Sequence, residues 1–193
     1  SIGEDQVEQV YKLWADTFGW EEEQVDSLRI KILDDLALEP TERNFWFSAV
    51  VKDGEIVSLA TAERLLMPTA NGHLDLVEST EWKTNEAYTG HGLMSAVLAN
   101  LNLQIVSDLW KSPNGLPLIY AECNYQSRSD RAGHGVGFTI PSRNLAIPAP
   151  QILEQNVLVQ DGQEVPEGAL RDFTFMYLPL SVINRWYNPD YDN

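Results

Sequence analysis

Two glycines one residue apart, Gly90 and Gly92, stand just before a long segment of helical apolar periodicity in "AYTGHGLMSAVLANL". A glycine turn that opens a helix exposes several backbone N–H groups at the positive end of the helix dipole, where a phosphate can sit. Neither glycine has a Cβ, so a ligand can come close to the backbone. The loop is not a dinucleotide fingerprint, which needs a further glycine where Ser95 stands. Nor is it a Walker loop, which needs Gly-Lys followed by Ser or Thr. Upstream, "ESTEW" carries Glu78 and Glu81, carboxylates that could take a proton from an amine or hold a cation. Regular pleating sends positions three apart to opposite faces of a strand. Asp75 and Glu63 are further carboxylates on neighbouring stretches. His91 inside the loop either touches a phosphate or stands in solvent. His134, between Gly133 and Gly135, is either an acid or a surface histidine. Cys123 reads as a buried strand residue, because no pattern brings a histidine to it.

The elements that must hold these groups follow from periodicity. Val7, Val10, Tyr11, Trp14 and Phe18 predict a helix that stops at Gly19. A second helix starts in "WEEEQ", whose acidic first turn suits the dipole, and Pro40 closes it. Its apolar face is Val25, Leu28, Ile32 and Leu36. Asp53-Gly54 between aromatic and β-branched runs predicts a hairpin of two strands, about Phe45–Val51 and Ile56–Leu66. A further strand covers roughly His73 to Thr84. Met94, Val97, Leu98, Leu101, Ile105 and Leu109 form one apolar helix stripe that ends at "SPNG". "LPLIYAEC" reads as a buried strand, "SRSDRAGHGVGF" as a short helix ending at glycine, and "RDFTFMYLPL" as a late strand after a proline-rich loop and "ILEQNVLVQ". The expected architecture is α/β, a mixed sheet sandwiched by helices.

With 193 residues the chain can bury a core of its own, as one domain. Its formal net charge of −16 repels nucleic acid and anionic membrane and attracts cations. One cysteine excludes an internal disulfide framework, which makes the cytoplasm the expected location. Three scattered histidines and one cysteine form no ligand set of metal-site spacing, so no metal is expected. No apolar run approaches the roughly 20 residues of a membrane span, and no signal peptide opens the chain. The start "SIGEDQVEQ", without methionine, suggests a domain excised from a longer chain.

A hairpin "FWFSAVVKDGEIVSLATAE", a strand, "AYTGHGLMSAVL", another strand and a "GVGF" ending together resemble the GNAT superfamily of N-acetyltransferases over about Phe45 to Phe138. Within it, Glu78-Ser79-Thr80-Glu81-Trp82 and "DGEIVSLATAE" are similar to β-lysine N-acetyltransferases. The resemblance implies a mostly antiparallel GNAT-like sheet flanked by helices, splayed between its central strands. It implies acetyl-CoA or another acyl-CoA as donor, with Thr89, Gly90, His91, Gly92, Leu93 and Met94 at the pyrophosphate. Trp82, Lys83 and Thr84 would pair with pantetheine, and an amide near Trp82 would meet the oxyanion. Arg131 would face the 3′-phosphate, near Ser127 and Ser129 at the adenine end. The strand before the loop often bulges in this family, so both Glu78 and Glu81 stay in play as general base. Trp14, Trp20, Phe45 and Trp46 are core residues, some of which would line the acceptor pocket. Thr89 replaces the usual arginine or glutamine, Met94 a small residue, and Gly133 the usual acid tyrosine, leaving His134 and Tyr125 as neighbouring acids. The family's first strand is not evident before Val7.

The reading that results is acetyl transfer to the amine of a small cationic substrate such as an amino acid or polyamine. The alternative is a repurposed GNAT-like domain that binds a CoA or carrier-protein thioester as a sensor, a structural module or a decarboxylase. A homodimer or contact with an upstream domain are the assemblies left open.

Overall fold

The computed structural model describes residues 38–70, 72–113, 115–124, 128–139 and 173–188, with positions 9, 11, 26, 30, 34 and 35. Gln9 and Tyr11, and Asp26, Ile30, Asp34 and Asp35, are helical, at the places where the first two helices are expected. Most residues that define those two helices, together with Tyr125, Ser127 and "ILEQNVLVQ", lie outside the described residues.

The hairpin forms as expected. β1 (Phe45–Lys52) and β2 (Glu55–Thr69) pair antiparallel around Asp53 and Gly54, which both take positive φ. β3 (Gly72–Thr84) continues the antiparallel meander. The helix α1 (Leu93–Leu109) crosses over to β4 (Leu118–Asn124), which therefore pairs parallel to β3. A short helix α2 (Arg128–Gly135) follows, and β5 (Phe173–Tyr177) closes the sheet antiparallel to β4. The strand order is β1-β2-β3-β4-β5. β2 runs on from Leu66 to Thr69 and β3 starts one residue before His73, because their ladder extends as far as Thr69 and Gly72.

The core sits between the sheet and α1. Val97, Leu98, Leu101, Ile105 and Leu109 are buried against Trp46, Ala60, Ala62, Val77, Ile119 and Ala121. Each such buried aliphatic side chain contributes about 1.5–3 kcal/mol. Polar contacts set the rotation of α1. Asp108 accepts from Trp46 Nε1 at 2.9 Å and Arg43 Nη1 at 3.2 Å, and Asn100 Nδ2 donates to Ser48 Oγ at 2.9 Å. Trp46 is thus a core residue, as expected from its type. This packing aims the start of α1 at the end of β3.

The "GVGF" turn is pinned by close packing. A Cβ on Gly137 (φ +97°) would stand 2.4 Å from Val182 Cγ1 in the turn Leu180–Val182. Gly54 also has positive φ, but nothing lies within 4 Å of the corresponding point. Gly137→Ala should therefore cost roughly 2–4 kcal/mol, strain and overpacking together, while Gly54→Ala costs about 1–2 kcal/mol. Urea unfolding midpoints of the two variants check the difference.

Candidate active site

The central strands part in the middle of the sheet. β3 and β4 pair through Leu76–Leu118, Val77–Ile119, Glu78–Tyr120 and Ser79–Ala121, and the ladder ends there although both strands run on. A bulge coincides with the parting. Between the pairs Thr61–Thr80 and Leu59–Lys83, β2 has only Ala60 while β3 has both Glu81 and Trp82. Glu81 takes the extra residue's twist at φ +54°, a conformation unusual for a side chain of this type. The inserted residue resets the pleat. Trp82 Nε1 donates to Ser79 Oγ at 2.9 Å, so positions three apart share a face. Glu78 and Glu81 likewise come close enough to feel each other's charge.

On one side of the parting lies a groove of about 460 Å³, within the usual range for small-molecule sites. It is formed by the end of β3 (Trp82, Lys83, Thr84), the loop from Tyr88 to Gly92, the first turn of α1 and the near face of α2. Gly90 and Gly92 have φ of +84° and +74°, and Gly92 is the N-cap of α1 without a side-chain cap bond. The first intrahelical donor after it is Ala96, which bonds to the Gly92 carbonyl at 3.1 Å. The N–H groups of Leu93, Met94 and Ser95 precede that bond, at the positive end of the dipole. Thr89 Oγ1 donates to the Glu86 carbonyl at 3.0 Å, so this threonine secures the turn before the loop. Lys83, Arg128 and Arg131 supply cationic side chains, and among the described residues no carboxylate lines the groove. In a chain of net charge −16 that is a local reversal of sign.

Carboxylates gather around the ladder's end instead. Glu63 on β2 is the direct cross-strand partner of Glu78, and Glu122 on β4 faces the same point. Burial, then the charge of Glu122, pushes the Glu78 carboxyl above its ordinary value of 4.5, while a hydrogen bond from Tyr120 pulls it back. Burial likewise raises Glu81 and Glu122. Carboxyls tuned upward are suited to accept a proton near neutral pH. Among the described residues no three of His, Cys, Asp and Glu are grouped to hold a metal ion.

Of the residues singled out by sequence, Trp82, Lys83, Thr84, Thr89, Gly90, Gly92, Leu93, Met94 and Arg131 come together in the groove. His91 does not. It turns to the other side of the loop, toward Val50, Val51 and Val57. His134 is exposed at the end of α2, with Nδ1 3.0 Å from the Phe138 carbonyl, and is not part of the groove. Asp75 is held by both arms of Arg64, away from the parting. At Gly133 an added Cβ would meet Met176 Sδ at 2.5 Å and Trp82 Cη2 at 3.2 Å, so these two side chains fill the space beside it. Arg128, Tyr120 and Glu122 escaped the sequence reading. Arg128 lies three residues before Arg131, a helical spacing that could have been noticed. Tyr120 and Glu122 depend on the β3–β4 register, which no local pattern announces.

No protein-family model and no curated protein matches the chain. Solved structures do. Arabidopsis thaliana NAA60 in complex with acetyl-CoA is similar at 15% identity over 93% of this chain and 96% of that one, with a TM-score of 0.55. The NatC complex bound to Gag peptide and CoA is similar at 14% identity over 92% of each chain, with a TM-score of 0.54. A Trypanosoma brucei acetyltransferase is similar at 12% identity over 77% and 96%, with a TM-score of 0.50. The chain has a GNAT acetyltransferase fold. Among the described residues no helix is long and apolar enough to cross a membrane.

The raised carboxyls make a stability prediction. Between 4.5 and the raised value of Glu122, the folded chain holds a proton that the unfolded chain has lost, so this residue's contribution to stability falls as pH rises through that window. Glu122→Gln should therefore gain on the wild type as pH rises. Urea unfolding of both proteins across pH 4.5 to 8 checks it, and a pH-independent difference would contradict it.

Proposed function

We propose that the chain is an acyl-CoA-dependent N-acyltransferase that moves an acetyl group to the amine of a small cationic substrate. The observation that carries this reading is the division of charge at the β3–β4 parting. A groove with Lys83, Arg128, Arg131 and a helix start lies on one side, and the carboxylates Glu63, Glu78, Glu81 and Glu122 lie around the ladder's end. The groove fits an acyl-CoA: no side chain caps the α1 start, none of the described lining residues is a carboxylate that would repel the phosphates, and two glycines open the loop. The relatives bound to acetyl-CoA and CoA support the same donor.

The amides of Leu93 and Met94 and the three cations hold the phosphates, and the β3 backbone from Trp82 to Thr84 aligns the pantetheine as an added strand would. Holding both reactants in line is the largest contribution, about 7–11 kcal/mol in well-oriented systems. Glu78 takes the proton of the substrate ammonium, directly or through a water, and Glu81 with Glu122 attracts the cation. The backbone amide at Trp82 meets the developing oxyanion. Gly133 supplies no acid, and a thiol with a pKa of about 8.5 leaves as thiolate with little help. The likeness of "ESTEW" to β-lysine N-acetyltransferases supports an amino-acid or polyamine acceptor, and the reducing cytoplasm suits the chain's cysteine usage.

One observation favours a second reading, a GNAT-fold domain that binds a thioester without transferring it. Trp82 and Met176 fill the space beside Gly133, so no tyrosine could be accommodated there without their moving. Release of free thiol from acetyl-CoA, measured with β-lysine, lysine and polyamines, separates the two. Transfer predicts amine-dependent thiol release that falls at least about a hundredfold in Glu78→Gln and less in Glu81→Gln. Equal, wild-type-like rates for both variants contradict the base assignment, and no release with any amine contradicts transfer.

A further inference from the structure

Tyr120 stands directly opposite Glu78 in the β3–β4 ladder, one pair before the strands part. Its ring is buried, 3% exposed, and from this position its hydroxyl is within reach of the Glu78 carboxyl. Burial, followed by the charges of Glu78 and Glu122, holds the phenol well above its ordinary value of 10, so it keeps its proton and can donate to that carboxyl. A carboxylate has two oxygens, and a donor fixed on one leaves the other to meet a second partner. We propose that Tyr120 is the positioning residue for Glu78: its phenol donates to that carboxylate, fixes the rotamer at the mouth of the parting and turns the second oxygen toward the amine. The catalytic consequence rests on the acyltransferase reading, whereas the contact itself does not.

The groups facing Glu78 make the donor's role specific. Glu63 faces it from β2 and Glu122 with Tyr120 from β4, and the charge of Glu81 reaches it from the bulge on β3. Three carboxylates and burial all favour the protonated form, and the tyrosine hydroxyl is the contact that opposes them. Without it, the Glu78 carboxyl is harder to ionise. Glu78 gains orientation and basicity from the same bond, so the two effects should fail together.

Tyr120→Phe deletes the hydroxyl and keeps the ring. A carbon-13 NMR titration, with the Glu78 side-chain carboxyl assigned through its absence in Glu78→Gln, reads the bond without any turnover. The midpoint of Glu78 should rise by about one pH unit in Tyr120→Phe. The acid limb of kcat for thiol release should rise by the same amount, a loss of roughly tenfold below both midpoints, with KM for acetyl-CoA unchanged. An unmoved Glu78 midpoint overturns the proposal, as does an acid limb that stays in place while Glu78→Gln is inactive. A purely structural role would lower the melting temperature and leave both readings where they were. Should Tyr120→Phe fail to fold, Glu78→Gln decides: the Tyr120 Cζ resonance moves if the phenol bonds Glu78, and stays if it does not. A wild-type chain that transfers no acyl group overturns the acyltransferase reading, and the carboxyl titration still decides the Tyr120 contact.

Discussion

Everything at the candidate site depends on one extra residue in β3. Between two ladder pairs to β2, Glu81 and Trp82 occupy the space of a single position, and Glu81 bends the chain at φ +54°. The bond from β3 to β4 has already ended at Ser79–Ala121. An unbulged β3 would keep alternating, and Glu78 and Glu81 would point to opposite faces of the sheet. With the bulge that alternation is broken, and Trp82 turns back over Ser79 and packs edge-on against Phe138, ring centroids 6.0 Å apart. The left-handed glutamate costs about 1–2 kcal/mol, which the surrounding ladder and packing must offset.

The second organising fact is electrostatic. The chain is strongly acidic, yet among the described residues its groove beside α1 gathers Lys83, Arg128, Arg131 and a helix start without a carboxylate. The described arginines elsewhere are partly consumed by structure, Arg43 on Asp108 and Arg64 on Asp75. Lys52 lies over the Tyr88 ring, 4.7 Å from its centroid, and steadies the loop from outside the groove. Anion-attracting and cation-attracting surfaces thus meet at one parting of two strands. That is the arrangement the proposed reaction between a phosphate-bearing donor and a charged amine would use.

Much of this was legible in the residues because the signals were local. Asp53-Gly54 announced the hairpin, the 3.6-residue stripe from Val97 to Leu109 announced α1, and the glycines announced a loop whose backbone could meet a ligand. The groove lining followed, since it is mostly consecutive residues around that loop. What stayed hidden was non-local. The pairing of Glu78 with Tyr120 depends on where β4 enters the sheet after a 17-residue helix, which no local pattern encodes. His134 looked chemical in sequence, but its Nδ1 serves the turn before Phe138, and His91 faces away from the groove. Asp75 was similarly absorbed by Arg64. Titratable residues lying near a site in sequence were therefore a poorer guide than the backbone that shapes the site.

The central claim is that the parting of β3 and β4 holds a phosphate-bearing thioester. Isothermal titration calorimetry with CoA and with pantetheine, which lacks the phosphates, tests it most directly. The account predicts saturable binding of CoA, with pantetheine at least about tenfold weaker because the three cations and the α1 start have nothing to hold. No binding of CoA up to about millimolar concentration, or equal binding of both compounds, would contradict it.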